Sequence, residues 1–209
     1  MLDKLCRKIS NRFVAMGIIP EEDEALYLYG LQQGLTSLFY IILTILLGIF
    51  FGIVWHNILF LLFFMPIRIY GGGFHARTPK SCFFLSCAMI LAISLILKYI
   101  SLPAYLFAAI IAMTGILIFM LAPVSDANKP FTAKERRHFK KKTRFFLFLE
   151  LAIGAIALAA ALPLLYTGIA VSLGTLSVML ILGILKNRSL EKASPSTNSS
   201  ETPSSLYHE

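Results

Sequence analysis

Apolar residues along this chain gather into long uninterrupted runs rather than into the alternating or one-sided stripes of a water-soluble fold. From Leu35 to Val54 twenty consecutive residues carry no charge. At about 1.5 Å rise per residue a helix of that length crosses a hydrocarbon core of about 30 Å. Similar runs cover 81–97, 100–124, 145–166 and 168–185. Between the first two, after Trp55, His56 and Asn57, which suit a membrane interface, lies a shorter one, Ile58 to Ile67, which contains Pro66 and stops at Arg68. It reads either as a short span extended to about Tyr70 or as a re-entrant segment, because broken helices at membrane depth must be buried in protein or face water.

Two segments before the first span have a different pattern. Residues 2–18 place Leu2, Leu5, Ile9, Phe13 and Met16 at three- or four-residue steps beside Lys4, Arg7, Lys8 and Arg12. This predicts an amphipathic helix, resting on an anionic membrane surface or packed on its own protein. Pro20 followed by Glu21, Glu22, Asp23 and Glu24 predicts the start of a second helix.

Composition agrees with a membrane protein. The 209 residues are 57% hydrophobic and 14% charged, with mean hydropathy +0.77, against roughly 45–50% apolar residues in a soluble domain. The expected fold is all-α, a polytopic integral membrane protein with about six transmembrane helices and an N-terminal amphipathic region. Residues 1–190 form the membrane-embedded domain, and 191–209, rich in Ser, Thr and Pro, form a disordered tail. The charged first thirty residues contain no short apolar core with a cleavage site, so no removable signal peptide is expected.

Charge then orients the spans. Six crossings put the N-terminus, the 68–80 loop, the 125–144 loop and the tail on one face, leaving Lys98 as the sole basic residue on the other. Lysine and arginine hold their loops inside, so both termini are expected in the cytoplasm. The same bias favours a true crossing for the short run, since otherwise the basic 125–144 loop would lie opposite the N-terminus. The net charge of +8 is therefore concentrated on a membrane face, and nucleic acid is not an expected partner.

Cys6, Cys82 and Cys87 are an odd number of thiols without zinc spacing, so neither a disulfide framework nor a metal site is indicated. The reactive chemistry is expected at 68–82. Gly71, Gly72 and Gly73 permit a sharp turn and close backbone approach by a ligand. Thr78 and Pro79 read as the N-cap and first residue of a helix. Cys82 then lies near a helix N-terminus, with Arg77 and Lys80 nearby, surroundings that favour the nucleophilic thiolate. The glycine turn could bring His75 back to the sulfur as a base. A filler role for the cysteines and a loop role for the histidine is the competing reading.

The string R-I-Y-G-G-G-F-H from residue 68, with cysteine after six further residues, resembles the signature of the AgrB family, the membrane cysteine endopeptidases of Gram-positive quorum sensing. P-V-S-D-A-N-K-P at 123–130 resembles that family's second motif, and the likeness extends over about residues 1–190. The resemblance implies His75 as general base and Cys82 as nucleophile, with Arg68 and Gly73 at positions important for activity and Gly72 beside them. It gives Cys87 no role. It also implies an AgrD-like propeptide, cleaved through an acyl-enzyme thioester and closed into a thiolactone or lactone by the peptide's own cysteine or serine. Exchange of thioester for thiolactone conserves the bond type, so no ATP and no other cofactor is required.

The basic loop contains Lys129, Lys134, Arg136, Arg137, Lys140, Lys141, Lys142 and Arg144. It reads as an anchor on anionic lipid, as a dock for the acidic tail that the family's propeptides carry, or as both. Glu24, Asp126 and Glu150 are acidic residues available to orient the histidine, each with a simpler role as helix-start charge, loop charge or salt-bridge partner. Asp126 and Asn128 also suit a polar turn. Gly154, Ala157, Ala161, Gly168, Ser172 and Gly174 fit close helix packing within the chain or in a homodimer. A non-enzymatic peptide transporter or binding scaffold, with the 68–82 loop as a gate, is the alternative function. It would favour a polar stripe along the spans, which this chain largely lacks.

Overall fold

Where no water reaches the backbone, a helix satisfies its N–H and C=O groups within one segment, and the apolar runs of this chain do so. The computed structural model describes residues 2–74, 78–125 and 131–193. The helices are α1 (Leu2–Ala15), α2 (Glu24–Phe51), α3 (Val54–Gly71), α4 (Pro79–Tyr99), α5 (Ala104–Leu121), α6 (Ala133–Ala159) and α7 (Pro163–Ala193), with a single 3-10 turn at Glu21–Asp23. The expected all-α polytopic fold is observed. The short run at 58–67 belongs to an uninterrupted helix that contains Pro66. α2, α3, α4, α5 and α7 are each long and apolar enough to cross a membrane.

The stretch expected as a span at 145–166 is divided instead. α6 ends at Ala159, Ala161 takes a left-handed φ of +51°, and Pro163 opens α7. Leu162 N–H reaches Ala157 O at 2.8 Å and Ala161 N–H reaches Leu158 O at 3.2 Å, the paired bonds of a Schellman ending with alanine where glycine is usual. α6 is therefore basic along its N-terminal half and apolar along the rest, apart from Glu150, and it is not among those five helices. α7 runs to Ala193, so residues 191–193 of the expected tail are helical. The remainder of that tail lies outside the described residues.

The chain forms two compact units. The first comprises residues 1–61 and 79–101 and contains α1, α2, the start of α3 and α4. Phe39 meets Phe83 at 5.2 Å between ring centroids, and the Lys98 ammonium lies 5.2 Å from the Phe51 ring. Later residues of α2 thus meet later residues of α4, and the two helices run side by side in the same direction. Asn57, expected at the interface with Trp55 and His56, is instead fully buried and donates to Thr44 O at 2.8 Å and Ser94 Oγ at 3.1 Å. It shares the inward face of α3 with Phe60, three positions on, while Trp55 is 70% exposed.

The second unit comprises residues 62–78 and 102–209, with its core among α5, α6 and α7. Phe107, Ile111, Thr114 and Ile118 of α5 are buried, as are Leu147, Glu150 and Ala157 of α6 and Ile169, Leu173, Leu176 and Leu180 of α7. A side chain at Gly154 would touch Ile111 and Ile169, each 3.6 Å from its first carbon. Gly154, Ala157 and Ser172 therefore serve packing within the chain.

Candidate functional site

In the second unit, α3 ends at Gly71 and the next two residues turn with φ of +69° at Gly72 and +117° at Gly73, values that other residues adopt only with strain. The turn lies against a short extended segment, forming a parallel bridge between Gly72 and Val124. Gly73 N–H donates to Val124 O at 3.1 Å, and Val124 N–H donates to Gly71 O at 3.0 Å. A Cβ on Gly72 would collide with the Val124 carbonyl oxygen, and one on Gly73 would come within 3.1 Å of Met179 O. Glycine is needed at both positions for conformation and for space.

Non-helical backbone beside apolar segments must still find hydrogen-bond partners, and here side chains supply several. The Arg68 guanidinium donates through one nitrogen to Gly72 O and through another to Phe74 O, the latter at 3.0 Å. Phe74 N–H donates to Met179 O on α7 at 2.9 Å. The close approach needs Gly183, where a Cβ would lie 2.9 Å from the Gly73 carbonyl carbon. One turn further along α7, Asn187 Nδ2 donates to Ser125 O at 2.9 Å, and the Lys186 ammonium lies 5.8 Å from the Phe74 ring centroid. Arg68 thus holds the turn, and Phe74, the residue before His75, is fixed at both its N–H and its C=O.

The same turn adjoins the basic helix. Tyr70 stacks on Phe146 at 5.6 Å and an interplanar angle of 9°, and lies 6.3 Å from Phe139, which in turn packs against Phe131. Thr132 and Glu135 close the start of α6 with a capping box. Arg136, Arg137, Lys140, Lys141 and Lys142 are all exposed. This unit brings together Arg68, Gly72, Gly73 and a surface of positive charge.

In the first unit, α4 begins at Pro79 as the sequence predicts, and Cys82 is its fourth residue, half-buried. Ser86, Ile90 and Ser94 follow it at four-residue steps on one face of the helix. That face looks toward α2, since Ser94 accepts from Asn57, which also bonds Thr44 O on α2. Tyr40 of α2 packs beside the start of this helix, its ring centroid 6.1 Å from that of Phe83.

His75 and Lys129 lie outside the described residues, as do Asp126 and Asn128. Glu24 begins α2. Glu150 is only 3% exposed, and its Oε2 has no hydrogen-bond partner among the described residues, so the expected salt bridge does not engage that oxygen. Sequence reasoning missed Gly183 and Asn187. Gly183 interrupts an apolar helical run and Asn187 sits between two basic residues just beyond it, but the partner of each is a backbone atom distant in sequence.

The model of the family described as accessory gene regulator B matches residues 3–185. No curated protein and no solved structure matches the chain.

Proposed function

Because the chain belongs to the accessory gene regulator B family and takes part in quorum-sensing peptide processing as a multi-pass membrane protein, we propose that it is a cysteine endopeptidase that also cyclises its product. Cys82 is the nucleophile and His75 the general base. The observation that carries this reading is the fixation of Phe74 by Arg68 and Met179. A base works best when its geometry is set beforehand, and the residue preceding His75 is held at both backbone groups.

His75 takes the Cys82 proton, and the thiolate attacks the scissile carbonyl of the propeptide to form a tetrahedral oxyanion. As the C–N bond breaks, His75 returns the proton to the leaving amine and the C-terminal fragment departs. The N-terminal fragment remains as a thioester on Cys82. A cysteine or serine within that fragment then gives its proton to His75 and attacks the thioester carbonyl, closing the ring and releasing the Cys82 sulfur. Limited access of water favours ring closure over hydrolysis.

Arg136, Arg137, Lys140, Lys141 and Lys142, together with Lys129, form the docking surface for the acidic part of the propeptide and for anionic headgroups, the latter worth about 1 kcal/mol per residue near the surface. With α6 taken as a sixth crossing beside the five longer apolar helices, the lysine and arginine bias supports a cytoplasmic position for this surface, both termini and the reactive pair. The test is co-expression with the cognate propeptide. Cys82→Ala and His75→Ala are expected to abolish processing while membrane insertion is kept. Full processing by Cys82→Ala would reject the assignment and favour a transporter or scaffold.

A further inference from the structure

We propose that Asn187 is a positioning residue for the histidine base: by holding the Ser125 carbonyl from the end of α7, it fixes the extended segment against which the glycine turn rests. The role rests on His75 being the base, and Asn187 lies two positions beyond the matched segment 3–185.

Two non-helical segments lie side by side in the second unit. Residues 72–74 and 122–125 run parallel, joined by the bonds from Gly73 N–H to Val124 O and from Val124 N–H to Gly71 O. Each segment also has a carbonyl held by a side chain from a helix. Arg68 of α3 donates to Phe74 O at 3.0 Å, and Asn187 Nδ2 of α7 donates to Ser125 O at 2.9 Å. Asn187 is thus to the second segment what Arg68 is to the first.

α7 is a platform for both. Met179, Gly183 and the pair Lys186–Asn187 recur at three- or four-residue steps, which puts them on one face of the helix. Met179 O accepts from Phe74 N–H at 2.9 Å, and Gly183 leaves room for the peptide that joins Gly73 to Phe74. The next turn reaches the two segments with consecutive residues. The Lys186 ammonium lies 5.8 Å from the Phe74 ring centroid, and the Asn187 amide bonds Ser125.

Val124 meets the glycine turn through both its N–H and its C=O, so a shift of 122–125 is passed to Gly71 and Gly73, and through them to the residue before His75. Ala122, Pro123 and Val124 are buried, whereas Ser125 is half-buried. Water can therefore serve the Ser125 carbonyl when the amide is removed, and the fold loses little. Water does not tie the segment to α7, so position is lost rather than stability. Aspartate has the shape of asparagine but, when ionised, only accepts, and facing a carbonyl it repels where the amide held.

The test uses the full chain in lipid nanodiscs as parent, Asn187→Ala, Asn187→Asp and Ser189→Ala, whose hydroxyl bonds Leu185 O within α7. Amide hydrogen exchange is read by mass spectrometry in peptides covering 70–74, 122–125 and the middle of α5. In Asn187→Ala the first two are expected to exchange about fivefold to tenfold faster, the worth of one hydrogen bond, and in Asn187→Asp faster still. The α5 peptide, the melting temperature and Ser189→Ala should match the parent. With propeptide, both Asn187 variants are expected to lower kcat by about the same factor at unchanged KM. Parent-like exchange at 70–74 in Asn187→Ala overturns the proposal. Equal acceleration in α5 or in Ser189→Ala also overturns it, by assigning the effect to general loosening, as does faster exchange with unchanged kcat. Exchange needs no propeptide, so the hold on the turn is read whether or not His75→Ala abolishes processing.

Discussion

Arg68 donates a 3.0 Å hydrogen bond to the carbonyl oxygen of Phe74, six residues further along the chain and directly before His75. A second guanidinium nitrogen serves Gly72 O. The planar fork fixes both carbonyls at once, which the single ammonium of lysine cannot reproduce. Arg68→Lys is therefore expected to slow propeptide processing by about tenfold or more, the equivalent of losing one charge-assisted hydrogen bond. Arg68→Ala should be more severe, because two carbonyls lose their donors. Membrane-fraction blots alongside a processing assay check both. Near-normal turnover by Arg68→Lys would remove the clamp from the account.

The glycine turn gives a prediction with an internal control. A Cβ on Gly72 meets the Val124 carbonyl, whereas one on Gly34 or Gly174, both helical, meets nothing within 4 Å. Gly72→Ala should lose processing and become more sensitive to protease. Gly34→Ala and Gly174→Ala should be neutral or more stable by up to about 1 kcal/mol. Thermal melting in detergent, with the processing assay, separates the two classes.

How much of this was legible in the sequence depended on whether both partners of a contact lay close together along the chain. The helix start at Pro79, the first-turn position of Cys82 and the need for glycine at 72–73 are local features, and all were readable. The α6–α7 boundary was not, because Ala161 occupies the left-handed position that glycine usually marks. Asn57 read as interfacial because it follows Trp55 and His56, yet the helix period turns it inward to Thr44 and Ser94. The partners of the glycine turn, Val124, Met179 and Gly183, lie more than fifty residues away and meet it through backbone atoms, which leave no pattern of side chains to read.

Ala161 supplies a stability test. Its φ of +51° costs an L-residue with a Cβ about 1–2 kcal/mol, which glycine escapes. Ala161→Gly should raise the melting temperature, less the entropy that glycine loses on folding. A clear fall in melting temperature would contradict the described ending of α6.

Glu150 is buried, and its Oε2 has no partner among the described residues. Replacing such a group with a neutral residue of similar shape is commonly neutral or stabilising, whereas an unpaired charge there is costly. Glu150→Gln is expected to insert and melt like the parent or better, and Glu150→Lys to accumulate poorly. A Glu150→Gln protein that folds well but cannot process propeptide would give this carboxyl a chemical role that the account does not assign to it.

The central claim is that Cys82 carries the peptide between cleavage and ring closure. The most direct measurement is mass spectrometry of the protein quenched in acid during turnover of a propeptide whose ring-closing cysteine or serine is replaced by alanine. The account predicts an adduct with the mass of the N-terminal fragment, mapped to the peptide containing Cys82, released by hydroxylamine and absent in Cys82→Ala. Release of the C-terminal fragment with no such adduct at any quench time, or an adduct that persists in Cys82→Ala, would contradict it.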